Sequence, residues 1–183
     1  MTTPKDIIDF WLRHGPEAWF SGSEALDREI ADNYADLHIK ASKRELADWE
    51  TSPEGALALL LLVDQFPRNL YRGSAHSYAV DGLARAIARR ALANAFDRKV
   101  EPELRPFFYL PFEHSEDMAD QEYSLRLFVA HREKTGDEEA LKWAVTHYDI
   151  IKKFGRFPHR NAALGRDTTA EEQAYLDDDG FRG

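Results

Sequence analysis

Ala56-Leu57-Ala58-Leu59-Leu60-Leu61-Leu62-Val63 is the stretch on which the fold turns. Ser52-Pro53 stands before it, a capping residue followed by a proline suited to the first helical turn, so the run begins as a helix. It is apolar on every face. A helix of that kind is stable in water only when neighbours surround it, which makes it the centre of the core. Eight residues are too few to span a bilayer.

Helix signals continue on both sides of this centre. Upstream, Thr3-Pro4 opens a short helix around Ile7, Ile8, Trp11 and Leu12, with Gly15 as its stop and Trp19 and Phe20 in the following loop. Leu26, Ile30, Tyr34 and Leu37 then keep the 3.6-residue period. Ser42 to Glu45 reads as a capping box before Leu46 and Trp49, with a break near Ala41. Downstream, Gly73-Ser74 breaks the chain before an amphipathic helix carrying Leu83, Ile87, Ala91 and Leu92. Pro102, Pro106 and Pro111 limit Phe107-Phe108-Tyr109-Leu110 to a short helix at most. Ser115 is the expected cap of a helix ending near Gly136. Asp137 caps the next, whose two apolar faces (Leu141, Ala144, Tyr148 and Ile151; Trp143, His147, Ile150 and Phe154) are both expected to be covered, and which stops at Gly155. Thr168 or Thr169, with Glu171 and Glu172 three residues on, opens a last short helix before the acidic Asp177-Asp178-Asp179. The expectation is an all-α chain of about seven or eight helices in antiparallel pairs. With no Gly/Ser/Pro-rich linker, residues 1–183 read as a single domain.

Composition narrows the classes of function. The chain of 183 residues is 43% hydrophobic, 12% aromatic and 31% charged, which is globular in character. It contains no cysteine, so disulfides, thiolate metal sites and cysteine nucleophiles are excluded. A formal charge of −9 argues against nucleic acid as a partner. Met1 to Phe10 lacks a basic segment leading into an apolar run, and no membrane span is predicted, so a cytoplasmic location is expected. Sixteen arginines stand against eight lysines. Arginine suits fixed, bidentate recognition of carboxylates and phosphates, or ion pairs within the fold.

Several arginines fall in an internal echo. Phe66-Pro67-Arg68-Asn69 follows the central helix, and Phe157-Pro158-His159-Arg160-Asn161 follows the helix containing Ile150 and Ile151; Arg72-Gly73 trails the first and Gly165-Arg166 the second. Both read alike: proline halts the helix, phenylalanine anchors the exit and asparagine tolerates the turn. An arginine just past the helix end then offsets the dipole and meets exposed carbonyls.

A third polar cluster, Tyr109-Leu110-Pro111-Phe112-Glu113-His114-Ser115-Glu116, lies between them. The segments Asp64 to Gly73, Phe108 to Glu116 and Gly155 to Arg166, in this order and with Trp19-Phe20 also in place, resemble the signature segments of the bacterial family called domain of unknown function 924. None of the three departs from the family's pattern. The resemblance implies a helical fold similar to tetratricopeptide-repeat proteins and brings no established activity or cofactor. The usual 34-residue repeat signature is not evident, so any such repeats are degenerate ones.

Two functions of different classes are compatible with these features. The first is a small-anion site for phosphate or carboxylate, in a binding protein or an enzyme. Arg68, Asn69, Arg72, Arg156, Arg160, Asn161 and Arg166 are its ligand-binding candidates, and His114, Glu116 and His159 its acid-base candidates. The same arginines serve equally as braces that cap helix ends and pair with Asp64, Glu113 or Glu116. Ser115 lacks the surroundings of a nucleophile. The histidines lack helical His-x-x-x-His spacing, so neither a metal nor another cofactor is expected. His147, on an apolar face, reads as a hydrogen-bonded core histidine, and Trp19, Phe20, Phe107, Phe108 and Tyr109 as packing anchors. The second function is a protein-interaction module whose stacked helices hold a peptide or an oligomer partner.

Overall fold

In the computed structural model, which describes residues 2–20, 22–178 and 180–181, helices and turns account for the regular structure, and no strand occurs among the described residues. The Thr3 side chain accepts the Asp6 N–H and the Asp6 carboxylate accepts the Thr3 N–H, a reciprocal cap that opens α1 (Pro4–Trp19). The stop expected at Gly15 is a kink. Gly15 adopts φ 72° and Pro16 starts the next turn at once, so Trp19 lies in the helix rather than in a loop. The Trp19 indole stacks on Trp11 at 5.6 Å between ring centres, and its Nε1–H donates to the Trp11 carbonyl at 2.7 Å. Phe20, by contrast, is 67% exposed.

Ser23 caps α2 (Glu24–Ser42) by accepting the Leu26 N–H, and Leu26, Ile30, His38 and Ala41 form its buried stripe. Ser42 makes no capping box. Its hydroxyl donates back to the His38 carbonyl at 2.8 Å, a local bond that competes with capping, and the chain leaves through Arg44 at φ 62° into a 3₁₀ turn over Ala47–Thr51. Ser52 then accepts the Gly55 N–H and opens α3 (Pro53–Leu60). A side chain at Gly55 would place its Cβ 2.1 Å from the Trp49 carbonyl oxygen, so only glycine fits this first turn.

Every residue from Ala56 to Val63 is buried, as a helix apolar on all faces requires. Each leucine withdrawn in this way contributes about 2 kcal/mol of hydrophobic free energy. α3 packs against α1 and α5 (Asp81–Ala93) and passes directly into a π turn, Leu61–Gln65, and then α4 (Phe66–Leu70), both of which pack on α2. The proline-punctuated segment forms a 3₁₀ stretch, Pro102–Phe108, and one turn of helix, α6 (Leu110–Glu113).

α7 (Met118–Thr135) is capped by Asp117, whose carboxylate accepts the Ala119 N–H, and not by Ser115. Gly136 ends α7, and Asp137 caps α8 (Glu138–Phe154) by accepting the Ala140 N–H. This short connection makes α7 and α8 an antiparallel pair. Only one face of α8 is sealed: Ala144, His147, Ile150 and Ile151 are buried, whereas Trp143 is 42% and Val145 40% exposed. Thr169 and Glu172 form the predicted capping box of α9 (Ala170–Asp177). Asp177 and Asp178 are exposed; Asp179 lies outside the described residues.

The chain divides into two compact units, Met1–Arg72 with His76–Pro111, and Gly73–Ala75 with Phe112–Gly183. In the first, Phe66 meets Phe10, Trp11 and Tyr34, while Phe107 meets Trp11 and Trp19. In the second, Ile150, Ile151 and Phe157 form a core that Met118, Phe154, Tyr175 and Phe181 cover. None of the described helices is long and apolar enough to cross a membrane.

Candidate functional site

Proline decides the geometry of the Phe66-Pro67-Arg68-Asn69 corner, but it does not end the helix there. In an α-helix the Pro67 ring would collide with the Val63 carbonyl, four residues back. The π turn removes that contact by widening the helix, and the Phe66 N–H bonds to the Leu61 carbonyl, five residues back. The chain then continues as α4. Arg68 is therefore inside a helix and not beyond its end. Its fork donates to both Asp81 carboxylate oxygens at 3.1 and 3.2 Å, and one arm also donates to the Asp64 carbonyl at 2.5 Å, with the Asp64 carboxylate 3.6 Å away. Burial opposes the guanidinium charge, and Asp64 and Asp81 more than offset that penalty. Asn69 donates to Asp27 at 2.8 Å, and Arg72 grips the same carboxylate at 2.8 and 3.0 Å.

The Phe157-Pro158-His159-Arg160-Asn161 corner is built differently. Gly155, at φ 69°, ends α8 in the left-handed conformation and returns its N–H to the Ile151 carbonyl. Pro158 can then open a 3₁₀ turn, Pro158–Arg160, with no helix before it to disturb. Two carboxylates organise the surrounding chain. Glu116 accepts both arms of Arg166 at 2.8 and 3.1 Å and the Phe157 N–H at 2.8 Å. Burial would raise the Glu116 carboxyl, but those donors prevail and hold it below the ordinary value. Glu172 accepts Arg156 at 2.6 and 2.8 Å, the Thr169 N–H at 2.8 Å and the Asn161 amide at 3.2 Å. Arg156 and Thr169 bring its carboxyl down to about 2 against the opposing effect of burial.

Ser115 lies in a buried turn. Its hydroxyl donates to Asp120 at 2.8 Å and accepts the Asp117 N–H at 3.2 Å, while Gln121 donates to the carbonyls of Glu113 and Ser115 at 2.6 and 2.7 Å. Beside this turn the second unit gathers three histidines. His147 is buried; its Nδ1–H faces the Trp143 carbonyl at 2.9 Å and a Glu113 carboxylate oxygen at 3.1 Å. Burial pushes the His147 imidazole well down, so it is neutral, and His114, Arg160 and His159 act in the same direction through their charge. His114 lies 6.4 Å from His147 between ring centres. His147 and His159 each pack on Phe157 and on Phe181, and the Arg160 guanidinium covers Phe157 at 4.4 Å. His159 also lines a shallow depression of about 300 Å³ with Gln173, Leu176 and Asp177.

The sequence candidates thus fall into two sets. Arg68, Asn69 and Arg72 belong to the first unit; Arg156, Arg160, Asn161 and Arg166, with His114, Glu116 and His159, belong to the second. Arg68, Arg72, Arg156 and Arg166 each hold a carboxylate of the chain itself. Of the expected acidic partners, Asp64 and Glu116 take part. Asp27, Asp81 and Glu172 are additions. Asp27 and Asp81 stand 45 and 13 residues from their arginines, a separation that leaves no local signal. Glu172 was visible only as a helix cap. No group of three or more side chains suited to a metal occurs among the described residues.

The comparisons with known proteins agree with the fold. The chain is similar over 96% of its length to a protein of unknown function, ATU0120 from Agrobacterium tumefaciens, with 46% identity, 97% of that chain covered and a TM-score of 0.89. No curated protein matches. A family model described as a bacterial protein of unknown function matches residues 7–180. The chain therefore belongs to the bacterial domain of unknown function 924 family.

Proposed function

We propose that this protein binds a small anion, a phosphate or a carboxylate, at the corner of the second unit where His114, His159 and Arg160 meet. The supporting observation is the clustering of these side chains around the buried His147: His114 lies 6.4 Å from its ring, His159 shares Phe157 and Phe181 with it, Arg160 covers Phe157, and His159 lines a depression beside them. A guanidinium with imidazole N–H donors beside it, next to concave surface, suits an anionic ligand, with the buried Glu113 carboxylate facing His147 instead. Arg68, Asn69, Arg72, Arg156, Asn161 and Arg166 serve as braces in this proposal, and each donates to a carboxylate of the chain. Any acid-base work would fall to His114 and His159, with Glu116 held by Arg166. We place the protein in the cytoplasm, in keeping with its cysteine-free sequence, and retain residues 1–183 as one domain, a view that two separate melting transitions would overturn.

A thermal-shift screen against inorganic phosphate and phosphorylated or carboxylated metabolites, at matched ionic strength, tests the site. The melting temperature is expected to rise with a ligand of this class. Arg160→Lys and His159→Ala should abolish the rise, and Arg72→Ala should leave it intact. A rise that survives both substitutions, or no rise with any member of the panel, overturns the proposal.

A further inference from the structure

The π turn of the first unit sets one backbone carbonyl opposite a residue that cannot donate to it. The Phe66 N–H bonds to the Leu61 carbonyl, so in the same register the Leu62 carbonyl would look to residue 67. That residue is Pro67, which has no N–H. Leu62 is fully buried, and water cannot easily take the place of the missing donor. The vacancy is filled from another helix: the Nδ1 of His38, on α2, lies 2.8 Å from the Leu62 carbonyl oxygen. A carbonyl only accepts, so this nitrogen carries the proton. His38 is itself buried, and Ser42 anchors it further by donating to its carbonyl.

We infer that His38 is the register lock of the π turn: held as the Nδ1–H tautomer, it supplies the donor that Pro67 removes, and thereby fixes where Asp64, Gln65 and Arg68 point. The device has two halves. On one side His38 satisfies Leu62; on the other the Arg68 side chain satisfies the Asp64 carbonyl. Reversion to an α register would take the extra residue of the turn into the α spiral and rotate α4 by about 100° relative to α3. Arg68 would then leave Asp81. His38 is a positioning residue in this scheme, and the inference is independent of the anion site proposed for the second unit.

Two measurements on the full chain decide it. In ¹⁵N imidazole spectra, His38 is expected to show a protonated Nδ1 and a bare Nε2 at neutral pH. A spectrum in which the proton sits on Nε2 overturns the inference. Thermal unfolding supplies the second. His38→Ala should lower the melting temperature by about 5 °C through the orphaned carbonyl, and His38→Asn, whose amide can donate from nearly the same place, should restore most of that loss. Pro67→Ala returns a backbone N–H to the Leu62 carbonyl, so His38→Ala should cost much less in that background. Additive losses in the double variant overturn the lock. If His38→Ala does not fold, the tautomer and the asparagine variant still decide.

Discussion

The two Phe-Pro-(His)-Arg-Asn corners share a sequence and not a structure. At Pro67 the chain has no glycine before the proline, so it stays helical and absorbs the proline by widening into a π turn. At Pro158 the chain has already been turned out of α8 by Gly155, two residues before Phe157. The first arginine consequently lies along a helix and faces Asp81, while the second lies in a 3₁₀ turn over Phe157. The lesson concerns the residues that precede a proline. A proline forbids one hydrogen bond and one contact; whether the chain breaks or bulges depends on whether a glycine offers an exit and on how strongly the preceding helix is held. Here α3 is buried on every side, and leaving the helical path would expose it.

The asymmetry can be tested by substitution. The largest effect is expected at the first corner, where Asp81→Ala removes the carboxylate that takes both arms of the Arg68 fork; unfolding in urea should show a loss of about 3 kcal/mol. A loss near zero would mean that the bidentate pair does not hold α4 in place.

At the second corner Glu172 plays the corresponding part, and its signature is a pH dependence. The folded carboxyl titrates at about 2 against an ordinary value of 4.5. The stability it contributes is therefore complete above about pH 5 and is lost as the pH falls toward 2. Glu172→Gln should lower the melting temperature at pH 7 and flatten the acid limb of the curve. Its difference from the wild type should be mostly gone at pH 2, where the folded carboxyl is half protonated, and should vanish below that. His147, kept neutral by burial, adds a loss that sets in as the pH falls through about 6.5, where the unfolded imidazole is half protonated; that part of the curve should be unchanged in the Glu172 variant.

Smaller effects separate capping from pairing. Thr169→Ala should cost about 1 kcal/mol by removing the acceptor of the Glu172 N–H, read again by urea unfolding. Arg72→Ala should cost about 0.5 kcal/mol or less, since its pair with Asp27 is half exposed, and the difference should fade in high salt. An Arg72 cost as large as that of Asp81 would erase the distinction between a buried fork and a surface one.

Much of the helix framework was legible because its signals are local. Thr3, Ser52, Asp137 and Thr169 cap the helices they were expected to cap, and Gly136 and Gly155 end theirs. Where expectation and structure part, a second local interaction has won. Ser42 bonds back to His38, Asp117 caps in place of Ser115, and Gly15 kinks α1 because Pro16 can begin a new turn immediately. The candidate site was less legible. The residue types at the three corners were visible, as was the alternative that they brace the fold. Their partners were not, since Asp27, Asp81 and Glu172 meet their arginines only through folding.

By itself, then, the sequence determined the helical class, the buried centre at Ala56 to Val63 and most of the helix ends, because period and capping act over three or four residues. Tertiary structure alone decided that Pro67 bulges where Pro158 follows a break, that His38 meets the Leu62 carbonyl, and which carboxylate each arginine holds. Those outcomes depend on donors and charges brought together from distant positions, whose desolvation must be matched pair by pair once the core closes.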